Sequence, residues 1–256
     1  MGFFKNLFSK QVCELCSKEV GALSRSKLKD GKYICYDCCK NCSSFYPTTR
    51  YTLEEVKKHM EYMEKYNKFC VEVFDKIEDK KDFALMFQKT GIKLADEVGM
   101  FEIITSNTKK KNYRELFRYD QIWDYKLYGV ENSGENQNKK YSETGVKIKM
   151  ICKLDNDPAI NVTNQYDEFK HEYAKEFTIP CAHNTDTLDG GFLLKHLDQI
   201  FGVTIEGKLG VFGSGTVGRT GYRALNVVDM TFNRNHWKEV ADNAERNFYG
   251  KTLREE

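Results

Sequence analysis

The sequence predicts an α+β chain: a small N-terminal cysteine ribbon, a linking helix, an antiparallel β-barrel or roll capped by a helix, and a C-terminal extension. Three observations carry this reading. Two close cysteine pairs stand near the start, a capping-box sequence at Thr52 opens a helical apolar seam, and strand-like apolar runs begin near residue 83. The expected boundaries are 1–50, 51–80, 81–205 and 206–256.

The cysteine pairs are Cys13-Glu14-Leu15-Cys16 and Cys35-Tyr36-Asp37-Cys38, with eighteen residues between them. That spacing fits a four-cysteine zinc site, because two residues between thiolates let a tight knuckle aim both sulfurs at one ion. Four thiolates close the tetrahedron and leave no position for water or substrate, so one structural Zn2+ is expected rather than a catalytic one. Lys29-Asp30-Gly31-Lys32 before the second pair reads as a hairpin turn. Both knuckles then sit on hairpins, as a zinc ribbon requires. Cys39 and Cys42 form a rival pair that can replace Cys35 and Cys38 as ligands.

Thr52-Leu53-Glu54-Glu55 predicts a helix start, and Leu53, Val56, Met60, Met63, Cys70, Phe74 and Ile77 continue at spacings of three and four. Asn67 fills the gap in this seam. The 52–78 helix therefore packs on its own chain or pairs with a second copy, Asn67 setting the register in the latter case. Strands are expected from Asp82 to Phe87, Met100 to Thr105, Glu115 to Tyr128, Val146 to Leu154, Ala159 to Val162 and Glu176 to Pro180. The polar stretch from Glu131 to Thr144 reads as a mobile loop. Asp189 is the expected cap of a helix through Phe201, with Leu193, Leu194, Leu197, Ile200 and Phe201 on one face and Gly202 as its stop.

The extension holds a glycine-rich stretch from Gly207 to Gly221, a strand-like run from Ala224 to Phe232, and a last amphipathic helix with Trp237, Val240, Ala241, Ala244 and Phe248 before Gly250. Gly213-Ser214-Gly215-Thr216-Val217-Gly218 has the glycine spacing of a dinucleotide-binding turn. Arg219-Thr220-Gly221 interrupts the helix such a turn needs, and too little chain follows for a doubly wound sheet. Cys181 and His183 stand too close in sequence to favour a nucleophile–base geometry. His59, His171 and His196 read as surface or packing residues. Tyr119, Trp123, Tyr125 and Tyr128 read as core aromatics.

Net charge is +2, which identifies no partner by itself. Residues 1–50 carry nine Lys/Arg against four Asp/Glu, a balance of +5, and the remaining 31 against 34 give −3. Such a tilt is mild for a nucleic-acid footprint. The chain shows no apolar run long enough to span a membrane. Phe3, Phe4, Leu7 and Phe8, with Lys5 opposite, form a short amphipathic lead-in that packs on the protein's own surface or touches a membrane. Nine cysteines without a secretory signal fit a reducing, cytoplasmic setting and a metal site.

The CxxC pairs, the segment DGKYICYDC, the capped helix, and the later FRYDQIWDY and KIKM segments together resemble a bacterial family known as domain of unknown function 4428. The resemblance is strongest over residues 10–66. It implies a zinc-ribbon-like module followed by a helix and a pleckstrin-homology-like (PH-like) β-domain, with the metal pattern on Cys13, Cys16, Cys35 and Cys38. It implies no activity. A PH-like domain implies binding of proteins, peptides or lipid headgroups, by analogy alone.

The function expected from the sequence is therefore that of a non-catalytic zinc-binding adaptor. Its β-domain would engage a protein partner or a membrane surface. The alternative is a nucleic-acid-binding zinc ribbon using Lys18, Arg25, Lys27, Lys29 and Lys32, with Tyr33 and Tyr36 as stacking aromatics. An enzyme is not expected, since no carboxylate pair, nucleophile elbow or phosphate loop stands out.

Overall fold

Local turn chemistry builds the N-terminal part of this computed structural model, which describes residues 10–84, 90–131, 141–151, 176–182, 188–202 and 227–253. The chain divides into two compact units, Met1–Lys76 with Ser106–Glu115, and Ile77–Thr105 with Leu116–Glu256. Several sequence expectations lie wholly outside the described residues: the lead-in at 1–9, the strand at 159–162, His171, His183, and the glycine-rich stretch at 207–221 with its dinucleotide-like turn. So do the last residues of the strands expected to Phe87 and Leu154 and the first of the run from Ala224.

In the first unit, β1 (Gln11–Val12) pairs antiparallel with β2 (Glu19–Val20), and β3 (Arg25–Lys27) with β4 (Tyr33–Cys35). The β3–β4 turn is the expected Asp-Gly turn. Gly31 takes φ 82, a conformation costly for a residue with a Cβ, and the Leu28 N–H donates to the Lys32 carbonyl at 2.8 Å. A one-turn helix, α1 (Tyr36–Cys39), follows, then α2 (Leu53–Glu72).

The capping box that opens α2 forms as expected. Thr52 Oγ1 accepts from the Glu55 N–H, and Glu55 Oε2 accepts from the Thr52 N–H at 2.7 Å. The helix ends at Glu72, six residues short of the expected 78. Val73 leaves helical geometry at φ −120 and ψ −66. Two β-branched valines, Val71 and Val73, weaken the helix there, and the 3-10 turn at Phe74–Lys76 turns Phe74 into the interior. The buried face of α2 is Leu53, Val56, His59, Met63, Tyr66, Phe69 and Cys70. Asn67 Oδ1 accepts from the Arg114 N–H at 3.1 Å, so the polar gap in the seam is engaged within the chain.

The second unit contains two antiparallel sheets. One runs β5 (Lys81–Ala84), β6 (Gly91–Ala95), β7 (Met100–Ile104) and β8 (Leu116–Arg118) in order. The other joins β9 (Ile122–Glu131), β10 (Tyr141–Met150) and β11 (Glu176–Ala182), with β10 central. Both sheets are open, which corrects the expectation of a barrel: among the described residues no ladder joins an edge strand of one sheet to the other.

β6 was not expected. Ile92 and Leu94 alternate there and are fully buried, but the run is short and Lys93 and Ala95 dilute its strand signal. The apolar run from 115 to 128 is not one strand. A 3-10 turn at Tyr119–Gln121 splits it, with the Arg118 N–H donating to Gln121 Oε1 at 2.9 Å. The polar stretch expected as a loop over 131–144 is strand at both ends, since Tyr141, Glu143 and Thr144 pair with Glu131, Val130 and Gly129, and its residues 132–140 lie outside the described residues.

Two helices complete the unit, α3 (Leu188–Phe201) and α4 (Val227–Tyr249). Asp189 lies inside α3 rather than capping it, and Gly202 at φ 64 ends the helix as expected. Leu193, Leu194, Leu197, Ile200 and Phe201 are buried, and α3 packs on β9, β10 and β11. The run from 224 to 232 is helical from Val227 onward, not a strand. Its apolar residues continue into the helical period of the residues that follow. Gly99, at φ 60, lets α4 approach closely: a Cβ there would meet Trp237 Cε3 at 3.3 Å.

Candidate metal centre

Each cysteine knuckle is positioned by a hairpin. The Cys13 N–H donates to the Lys18 carbonyl at 2.9 Å, and the Ser17 N–H to the Cys13 carbonyl at 2.8 Å. The chain closes this loop with Ser17 at φ 59, the sole non-glycine residue with positive φ among those described. The Glu14 N–H reaches across to the Tyr33 carbonyl at 2.9 Å and ties the first knuckle to the second hairpin. In the second knuckle Cys35 is the N-cap of α1, its sulfur accepting from the Cys38 N–H at 3.3 Å. The Cys35 N–H in turn donates to Cys13 Sγ at 3.2 Å.

These hairpins bring Cys13, Cys16, Cys35 and Cys38 together, with all four sulfurs within 4.8 Å of one another. Cys13 and Cys38 sulfurs are 3.8 Å apart, and Cys16 and Cys35 sulfurs 3.7 Å apart. A disulfide would need about 2.05 Å, and all four are free thiols. The cluster can hold a metal ion.

Its electrostatics favour a cation. Burial pushes the Cys13 thiol up, but N–H donors of Cys35, Cys16 and Leu15 outweigh it and the pKa falls to about 6. Burial, then the Cys35, Cys16 and Cys13 sulfurs, push Cys38 well up. Cys16, though exposed, is raised as well: the Lys18 N–H lowers it, and partial desolvation by the surrounding chain with the Cys13 and Cys35 sulfurs overrides that bond. One thiolate is thus set against neighbours that resist ionisation. A divalent ion removes that conflict by binding all four as thiolates and displacing their protons.

Cys39 and Cys42 stand outside this cluster. Burial pushes Cys39 up to about 11 and Cys42 up to about 12, and both pack in the apolar core with Leu28, Ile34, Leu53 and Val56. Beside them His59 is buried and stacked on Tyr46, ring centroids 3.8 Å apart. Its Nε2 accepts from the Ser43 N–H at 3.0 Å. The packing role expected of His59 is the one it has.

Sequence reasoning missed the link between ribbon and helix. Asp30, at the tip of the β3–β4 turn, accepts from the Leu53 N–H at 3.1 Å through Oδ2 and from the Lys32 N–H at 3.4 Å through Oδ1. No local pattern signals a partner twenty-three residues away. The Ser17 conformation was missed as well, since serine carries no preference for positive φ.

No curated protein and no solved structure matches this chain. Residues 11–59, which include all four clustered cysteines, match the family described as Domain of unknown function (DUF4428).

Proposed function

We propose that this protein is a non-catalytic adaptor whose N-terminal unit folds around one structural zinc ion and whose β-rich unit engages a protein partner. The observation that carries the zinc half is the sulfur spacing. Zinc–thiolate bonds of about 2.3 Å at tetrahedral angles put neighbouring sulfurs about 3.8 Å apart. The two measured separations are 3.7 and 3.8 Å. An all-sulfur donor set suits zinc over hard cations, which take oxygen ligands. Bound there, zinc would cross-link the two hairpins that Cys13, Cys16, Cys35 and Cys38 belong to. It would be closed to substrate.

The adaptor half rests on the β-rich unit. Among the described residues it holds four antiparallel strands, three more in a second sheet and a helix packed on that second sheet, an order compatible with the PH-like expectation. That expectation supports a binding role, by analogy, and a protein is the ligand class taken here. The nucleic-acid alternative has less behind it. Arg25 lies over the Tyr33 ring at 4.8 Å and donates to the Val20 carbonyl, and Lys32 pairs with Asp30 at 3.6 Å. Two of the five cations it needs are thus engaged at home. Among the described residues no helix is long and apolar enough to cross a membrane.

Elemental analysis of chain purified without chelator tests the zinc half. The expected result is about one zinc per chain, lost in Cys13→Ser or Cys38→Ser and kept in Cys42→Ala. Zinc that follows Cys39 and Cys42 instead would refute the ligand assignment. For the adaptor half, cross-linking in the native cell should trap a protein on the β-rich unit. Recovery of the chain alone would oppose it.

A further inference from the structure

We propose that Cys16 is the first oxidation site of the four-cysteine cluster, and that a peroxide converts it and Cys35 into a disulfide that expels the metal. The inference rests on the zinc reading above and adds to it a chemical vulnerability at one corner. Four ligands are not equally guarded. Cys13 and Cys35 are buried, Cys38 is half-buried, and Cys16 is exposed. Of the other thiols whose burial is described, Cys42 and Cys70 are buried and Cys39 half-buried. Among these seven sulfurs an oxidant arriving from water therefore meets that of Cys16 first.

The neighbour that completes the reaction is already in place. Cys35 Sγ lies 3.7 Å from Cys16 Sγ, and the Cys13 and Cys38 sulfurs stand 3.8 Å from each other. Closing that gap to a bond of about 2.05 Å takes a shift of under about 2 Å. The exposed knuckle can supply it, since Glu14, Ser17 and Lys18 around Cys16 are all exposed.

The chemistry balances with hydrogen peroxide as the named oxidant. The Cys16 thiolate attacks one peroxide oxygen, the O–O bond breaks, and hydroxide leaves, giving the sulfenic acid. The Cys35 thiolate then attacks that sulfur and expels a second hydroxide, forming the disulfide. Two electrons pass from the sulfurs to the peroxide. The ion is left with the Cys13 and Cys38 thiolates and is released, which loosens both hairpins because the cross-link between them is gone.

The test uses the full chain with its metal, counted by elemental analysis before any treatment. A short exposure to hydrogen peroxide follows, with released zinc read by a chromogenic chelator and cysteine states mapped by peptide mass spectrometry. About one zinc should leave per Cys16–Cys35 bridge formed, with Cys39, Cys42 and Cys70 still reduced. Cys16→His keeps four ligands but no oxidisable sulfur at the exposed corner. Its zinc release should slow by roughly tenfold or more if attack at that corner limits the reaction. Oxidation that starts at another cysteine of the cluster, or a first bridge joining Cys13 to Cys38, overturns the proposal. Should Cys16→His fail to hold zinc, peptide mapping of the natural chain still decides. Absence of zinc at the first count would instead remove the metal reading itself, so the two failures are distinct.

Discussion

Arg118 shows what a single residue contributes in the β-rich unit. It is 2% exposed, and its guanidinium donates to Asp120 Oδ1 at 3.1 Å, Glu245 Oε1 at 3.2 Å, Asp242 Oδ1 at 2.5 Å and the Lys238 carbonyl at 3.0 Å. One end of β8 is thereby bound to α4. Removing one member of such a buried network leaves the others uncompensated, so Arg118→Leu should lower stability by roughly 3–5 kcal/mol. The denaturant midpoint reads this directly, and a loss within about 0.5 kcal/mol, the range of a surface change, would refute the role. FRYDQIWDY supplies one partner, Asp120, but nothing in it announces that its arginine is buried, because the other two acids, Asp242 and Glu245, lie more than a hundred residues further on.

His59 makes a second residue-scale prediction. Burial, with Lys111 nearby, lowers its pKa to about 3. The unfolded chain, with a histidine near 6.5, therefore binds a proton that the folded chain refuses. Stability contributed by the neutral ring is whole above pH 6.5 and declines as pH falls toward 3. Between pH 7 and 5 this amounts to about 2 kcal/mol. Urea unfolding of the natural chain and His59→Gln at both pH values should show that loss in the former and a smaller one in the latter. Equal losses would refute it.

At the scale of elements, α2 depends on its first turn. Thr52 and Glu55 satisfy each other's backbone N–H groups, and Asp30 holds the Leu53 N–H. Thr52→Ala and Asp30→Ala should each cost about 1 kcal/mol, typical of a lost N-cap contact. Asp30→Ala should also loosen the Gly31 turn, so faster amide exchange at Lys32 would separate the two variants. The capping box was legible in the sequence because its partners stand three residues apart. The cysteine pairs were legible for the same reason: each knuckle is a local structure, two residues between its sulfurs, and the four sulfurs do cluster. β6 was not legible, since five residues with a lysine and an alanine carry little alternation until flanking strands bury Ile92 and Leu94. The end of α2 was misplaced because the apolar spacing continues to Ile77 while the backbone leaves the helix at Val73. The barrel expectation failed at a similar point. Strand runs can be read one at a time, but whether edge strands meet is decided by the register and twist of every strand together.

For the whole molecule, the division into two units predicts unequal dependence on metal. The cysteine ribbon of the first unit sits on a small apolar cluster, built around Cys13, Cys35 and Cys42 with Leu28, Ile34, Leu53 and Val56. A cluster of that size would draw much of its stability from the proposed metal cross-link. The sheets of the other unit have their own buried face, including Phe101, Phe117, Ile148 and Phe177. Chelation should therefore raise amide exchange across β1 to β4 while leaving β6 and β7 protected.

The central claim is that four sulfurs surround one zinc. X-ray absorption at the zinc edge, on chain purified without chelator, tests it most directly. The account predicts a single shell of about four sulfurs near 2.3 Å. A shell containing nitrogen or oxygen, or a chain that carries no zinc at all, would contradict it.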